Sequence, residues 1–187
     1  MSVMSTAASE VVGVPPYRFR RLIPAAAIHD ALREIAVRLR TDYDGKRPIL
    51  VGVLNGCFIF MADLIREMNI SCEVDFIKIS SYEDDMAPSA VRLVKDVSAN
   101  ITGRHVILVE DIVDTGKSLE FLRTHLQANN PASLVMAAMF NKDCPKMAGA
   151  HAEYVAMDIP DKFVVGYGLD YAQEWRHLPD LYALAED

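Results

Sequence analysis

Residues 105–119 read HVILVEDIVDTGKSL: an apolar run, then three carboxylates within five residues, Glu110, Asp111 and Asp114, then Thr115-Gly116-Lys117-Ser118 opening a helical pattern. An apolar run of that length bounded by polar residues reads as a buried strand. Carboxylates clustered at the carboxyl end of such a strand repel one another, and a fold tolerates that cost where a metal, a polyol or a proton-transfer task uses them. Residues Thr115 to Ser118 offer backbone N–H groups and two hydroxyls at a helix N-terminus, a ready cradle for a phosphate. The plainer reading is a helix whose first turn is capped by acidic residues. The spacing GxxxxGK[ST] is absent and no GxGxxG follows a strand, so neither a Walker A loop nor a Rossmann dinucleotide site is indicated.

Outward from this stretch, strand and helix patterns alternate. Ile28, Leu32, Ile35 and Leu39 put one apolar stripe on a helix over residues 25–40. ILVGVL (49–54) is a short apolar run ending at the Asn55-Gly56 turn signal, and a helical pattern follows through Met68. VDFIKIS (74–80), VRLVK (91–95), SLVMAAMF (133–140), EYVAMDI (153–159) and FVVGY (163–167) are further strand candidates. The alternation predicts an α/β protein with a doubly wound, mostly parallel sheet, whose ligands lie beyond the carboxyl ends of the strands. Residues 81–90, SYEDDMAPSA, read as an exposed mobile loop that could act as a lid or be an ordinary connection between two strands.

The chain has 187 residues, 51% of them hydrophobic, enough for one domain with its own core. Residues 1–16 are expected to form a flexible N-terminal tail and 17–187 a single domain. Nineteen basic against 26 acidic residues leave a formal charge of −7, which speaks against nucleic acid or an anionic membrane as partner. Cys57, Cys72 and Cys144 are scattered and odd in number, which fits neither a disulfide framework nor a zinc site and points to a reducing cytoplasm. The opening residues show no signal-peptide pattern and no later segment approaches a membrane span. The five histidines, at 29, 105, 125, 151 and 177, show no ligand spacing.

EDIVDTGKS (110–118) resembles the phosphoribosyl-pyrophosphate motif of type I phosphoribosyltransferases, most closely those acting on hypoxanthine and guanine. The likeness extends in order through VLNGCFIF (53–60), Ser81-Tyr82, Lys142 and DKFVVGYGLDYAQEWRHLP (161–179). It implies that fold, with a small hood formed by N- and C-terminal segments, and purine salvage from phosphoribosyl pyrophosphate with Mg2+. Glu110 and Asp111 would hold the ribose hydroxyls, Asp114 would be the general base, and Thr115, Gly116, Lys117 and Ser118 would bind the 5'-phosphate. Lys142 would donate to the 6-oxo group, Phe163 would stack on the purine, and the Val164 backbone would read its edge. Glu110 and Asp170 would hold magnesium, with Asp170 also near the purine. Asn55, Gly56 and Arg176 would take pyrophosphate, and Ser81 and Tyr82 would open the lid. The resemblance also implies a cis peptide before Asn55, and a homodimer or homotetramer.

Taken singly, Lys142, Asp170 and Arg176 would be ordinary surface charges, and Phe163 and Val164 ordinary core. Many relatives carry Lys where Asn55 stands, so a side-chain charge at that point is absent. The loop EDDMAPSA is more acidic than the family's usual serine- and glycine-rich versions. The alternatives are an enzyme of this fold that takes xanthine or guanine, and a non-catalytic sensor of the same metabolite; the acidic total argues against the sensor.

Overall fold

The computed structural model describes residues 10–14, 17–84, 87–147 and 150–185, and for 81–84 and 87–90 the backbone alone. The chain opens with two antiparallel strands, β1 (Val11–Val14) and β2 (Tyr17–Ile23), and helix α1 (Ala25–Tyr43). Then follow β3 (Ile49–Leu54), α2 (Phe58–Met68), β4 (Glu73–Asp84), β5 (Ala87–Lys95), β6 (His105–Val113) and α3 (Lys117–Gln127). The last elements are β7 (Ser133–Asp143), β8 (Tyr154–Pro160), β9 (Val164–Val165) and β10 (Leu181–Leu184).

The central sheet has the order β5-β4-β3-β6-β7-β8, parallel throughout except for the antiparallel pair β4-β5. Strand alternation sends side chains to both faces. Leu50, Ile107 and Val109 pack with the buried stripe of α1 and with Phe60, Met61, Leu64 and Met68 of α2. Ile49, Val51, Val106 and Leu108 pack on the other face against Leu119, Leu122 and Leu126 of α3. Each fully buried Leu or Ile contributes on the order of 1.5–3 kcal/mol, so these two faces carry most of the fold's stabilisation. The sheet is doubly wound, as expected.

The N- and C-terminal segments form a second, antiparallel sheet of order β1-β2-β10-β9, the expected hood. Three expectations change here. Val11–Val14, assigned to a flexible tail, forms β1 because its backbone pairs with Tyr17–Arg20 of β2; residues 1–9, 15 and 16 of that tail lie outside the described residues. Residues 81–90 are not a loop on either side of the tip: β4 runs to Asp84 and β5 begins at Ala87, with Ser81 opposite Val91 and Tyr82 opposite Ala90. Main-chain pairing with a partner strand overrides a polar composition there. The strand expected at 163–167 is limited to Val164–Val165, since Gly166, Tyr167 and Gly168 all have positive φ and turn the chain. Among the described residues, no helix is long and apolar enough to cross a membrane.

Asp180 joins the hood to the core. It is 3% exposed, accepts the Ala25 N–H at 2.7 Å and the Tyr182 hydroxyl at 3.4 Å, and lies 3.6 Å from the Arg21 guanidinium. Pro24 at the α1 N-cap supplies no side-chain acceptor, so a carboxylate 155 residues away in sequence takes that place. Asp180→Ala strands a helix N-terminal donor and leaves the part-buried Arg21 guanidinium with the exposed Glu10 as its remaining described ion-pair partner. The expected loss is about 2–4 kcal/mol in a urea unfolding titration.

Candidate active site

The carboxyl end of β6 carries the acidic triplet. The strand runs to Val113, three residues beyond the expected end, because β7 also lengthens and pairs Ile112 with Phe140 and Val113 with Asn141. Glu110 and Asp111 thus stand within the strand, and Asp114 just past it. The Glu110 Oε2 atom is sealed from solvent without a hydrogen-bond partner. Burial, reinforced by the adjacent Asp111 charge, holds the Glu110 carboxyl well above the usual range. Burial also raises Asp111 to about 6, against the opposing pull of the Ile112 N–H at 2.9 Å and the Arg176 guanidinium. Residues Glu110 to Leu119 line a cavity of about 230 Å³. Gly116, at φ +84, turns the chain into α3. A Cβ there would sit 2.1 Å from that of Ala150, so only glycine fits.

Three segments meet at two further glycines. A Cβ on Gly56 would lie 1.5 Å from Asp111 Oδ2, and one on Gly168, at φ +98, would lie 2.1 Å from the Gly56 carbonyl oxygen. The turn after β3, the end of β6 and the hood loop are therefore in direct contact. The Leu54–Asn55 peptide is cis. The Asn55 side-chain oxygen accepts from Lys78 Nζ of β4 at 3.3 Å.

Beyond β7, Lys142 Nζ lies 3.0 Å from Asp114 Oδ2 and 3.7 Å from Asp161 Oδ1. The lysine side chain is 12% exposed and the two carboxylates more than half. Cys144 Sγ approaches Asp114 Oδ1 at 3.5 Å, and Lys146 donates to the Lys142 carbonyl. A cavity of about 860 Å³ opens here, lined by Lys142, Cys144, Lys146, Asp158 and Ile159 among others. Asp114, Cys144 and Asp161 are close enough for one ion, but the Lys142 ammonium already supplies a cation to both carboxylates.

The hood contributes Phe163, 46% exposed, whose ring meets Tyr171 edge-on at 5.7 Å. The Phe163 carbonyl accepts the Leu184 N–H at 2.8 Å, so antiparallel alternation turns the Val164 N–H and C=O away from β10, to the outer edge of the terminal strand. Arg176 pairs with Asp170 at 2.6 Å and donates to the Gly168 carbonyl at 2.8 Å; Asp170 Oδ2 also accepts the Gln173 N–H.

The expected residues from β3, β6, α3, β7 and the hood thus stand around one end of the central sheet. Thr115, Lys117 and Ser118 line the β6–α3 cavity. Ser81 and Tyr82 lie on β4, and their side chains are outside the described residues. Sequence reasoning gave no role to Lys78, Asp161 and Gly168, the last two within the matching stretch 161–179; their partners are set only on folding.

Residues 24–172 match the family model for the phosphoribosyl transferase domain. The chain belongs to the phosphoribosyl transferase family. It is 42% identical over 156 residues to the hypoxanthine-guanine phosphoribosyltransferase of Streptococcus agalactiae, covering 83% of this chain and 87% of that one. The hypoxanthine phosphoribosyltransferase of Escherichia coli is 41% identical over 161 residues, covering 84% and 90%. Among solved structures, a Bacillus anthracis hypoxanthine-guanine phosphoribosyltransferase superposes with a TM-score of 0.81 at 38% identity, covering 88% and 96% of the two chains. The type I phosphoribosyltransferase fold and the transferase class follow from these matches and from the sheet order above.

The raised Asp111 carboxyl sets a pH dependence. The folded chain holds a proton that the unfolded chain releases between about pH 4 and 6, so stability falls as pH rises through that window. Asp111→Asn removes the buried charge. In metal-free buffer it should raise the unfolding free energy by about 1–3 kcal/mol at pH 8 and hardly at all at pH 4. Denaturant titrations at the two pH values check this.

Proposed function

We propose that the chain moves the 5-phosphoribosyl group from phosphoribosyl pyrophosphate to hypoxanthine, and to guanine, yielding the nucleoside 5'-monophosphate and pyrophosphate in purine salvage. The observation that carries this reading is the donor–acceptor pair Lys142 Nζ and Asp114 Oδ2, 3.0 Å apart, the lysine lining the larger cavity and the aspartate the β6–α3 one. The free oxopurine base in its N7–H tautomer presents the complement on one edge: O6, which accepts, next to N7–H, which donates. An ammonium is a donor only, so adenine, with an amino group at position 6, sets donor against donor and is disfavoured. Phe163 stacks on the base, and the outward-turned Val164 backbone reads its far side.

In the reaction the bond from ribose C1' to pyrophosphate breaks, a bond from C1' to the purine forms, and the N7 proton passes to Asp114. The ribose becomes oxocarbenium-like on the way, so positioning and charge neutralisation matter more than a strong nucleophile. Glu110 and Asp111 accept from the ribose hydroxyls. Thr115, Gly116, Lys117 and Ser118 hold the 5'-phosphate at the amino end of α3. Asn55, Gly56 and Arg176 face the pyrophosphate, with Ser81 and Tyr82 on the hairpin that covers it.

Magnesium fits the donor set: the partnerless Glu110 Oε2 and the Asp170 carboxylate are hard oxygens suited to it. When bound, it neutralises charge on the pyrophosphate. Asp170 is shared with Arg176, so the guanidinium must yield part of that carboxylate. Residues 17–187, with β1 completing the hood, act as one catalytic domain. Free thiols at Cys57, Cys72 and Cys144 support a cytoplasmic location. A homodimer or homotetramer is the assembly we favour; the C-terminal region of a Trypanosoma cruzi relative has been examined for its role in oligomeric state and activity.

The deciding experiment is product formation from hypoxanthine, guanine, xanthine and adenine, each with phosphoribosyl pyrophosphate, with and without magnesium. Magnesium-dependent inosine monophosphate is expected, with adenine poorest; no turnover of any base would sink the reading. Asp114→Asn should lower kcat by roughly 10²–10⁴ with little change in Tm. Lys142→Ala should lower kcat/KM for oxopurines far more than it lowers Tm, and the reverse pattern would make that lysine structural.

A further inference from the structure

Leu54 and Lys78 are registered neighbours on the parallel strands β3 and β4, and β3 ends at that point while β4 continues to Asp84. The residues before them, Val53 and Ile77, are buried on the α3 face. Alternation therefore puts Lys78 on the opposite face, where the chain leaves β3 through Asn55-Gly56 and enters α2. Its ammonium is anchored there by the Asn55 carboxamide oxygen at 3.3 Å.

The surroundings of this ammonium differ from those of Lys142 and Arg176. Lys142 faces Asp114 and Asp161, and Arg176 faces Asp170, so both are neutralised before substrate arrives. The partner of Lys78 among the described residues is a neutral amide. The first turn of α2 has no acidic residue of its own, and the carboxylate nearest that end is Asp111, packed against Gly56. An ammonium whose described partner is a neutral amide keeps its full charge for an incoming polyanion. Asn55 itself brings no charge to the turn.

We propose that Lys78 is a substrate-contacting residue: its ammonium donates to the pyrophosphate group of phosphoribosyl pyrophosphate and to the departing pyrophosphate, with Asn55 as the acceptor that positions it. This rests on the transfer reaction proposed above. The chemistry it recognises is a diphosphate, so the 5'-phosphate at the far, α3 side of the site should not sense it.

The test uses the full chain and two probes, inorganic pyrophosphate with magnesium and inosine monophosphate, in calorimetric titrations of wild type, Lys78→Met and Lys78→Arg. Lys78→Met is expected to weaken pyrophosphate binding about ten-fold and to raise the KM for phosphoribosyl pyrophosphate similarly, the scale of one charge-assisted hydrogen bond. Binding of inosine monophosphate and the KM for hypoxanthine should change by less than about two-fold, and Lys78→Arg should recover most of the loss. Unchanged pyrophosphate affinity in Lys78→Met, or an equal loss for inosine monophosphate, overturns the assignment while a wild type that still makes inosine monophosphate keeps the transfer reading intact. A wild type that turns over no base removes both.

Discussion

The site depends on one steric constraint, the contact of Asp111, Gly56 and Gly168. The Asp111 carboxylate occupies the space where a side chain on residue 56 would be, and the Gly56 carbonyl occupies the space where one on residue 168 would be. Any larger residue at either position pushes apart the β3 turn, the end of β6 and the hood loop. Backbone in contact with backbone and carboxylate leaves no room for adjustment, so the three segments are held at fixed separations. Catalysis by positioning requires that rigidity, since misplacement of reacting groups by about 1 Å can cost on the order of 100-fold in rate.

Charge is distributed so that the site is uncomfortable without its substrates. Glu110 has a sealed oxygen without a partner and a raised pKa, and Asp111 beside it is raised for the same reason, burial. Both strains are relieved by a ligand that offers hydroxyls or a cation. Lys142 and Asp114, by contrast, satisfy each other at 3.0 Å. One end of the sheet therefore combines a buried acidic floor with a paired donor and acceptor.

The hood meets this end of the central sheet through Gly168, which packs on Gly56. Its sheet is assembled from both ends of the chain, with β2 and β10 paired side by side and Asp180 capping α1 from beyond β9. That arrangement places the terminal strand β9 with an unpaired edge toward the outside and Phe163 half exposed. The two sheets are joined through Gly168, against Gly56, and through Asp180, at the start of α1.

Much of this was legible in the residues alone. The strands at 49–54, 105–110 and 133–140 are apolar runs with clear boundaries, α1 carries a regular stripe, and the acidic triplet followed by Thr-Gly-Lys-Ser is a pattern that packing alone does not explain. Those signals are local: strand and helix periodicity and motif spacing operate over a few residues. Strands β1 and β10, VVGV and LYAL, escaped notice because four residues are too short a run to signal a strand, and β2 because its arginines interrupt the apolar pattern; the β2–β10 pairing joins segments some 160 residues apart. The hairpin at 81–90 escaped for the opposite reason, a loop-like composition held extended by its partner strand. Lys78, Asp161 and Gly168 are ordinary residues in the sequence and become part of the site only through what folding sets beside them. The sequence by itself determined the fold class and the transferase class, because these reside in local pattern. Tertiary structure alone decided which charges are paired, which are stranded and where two glycines let backbone touch backbone, because those depend on distances between parts of the chain that share no local signal.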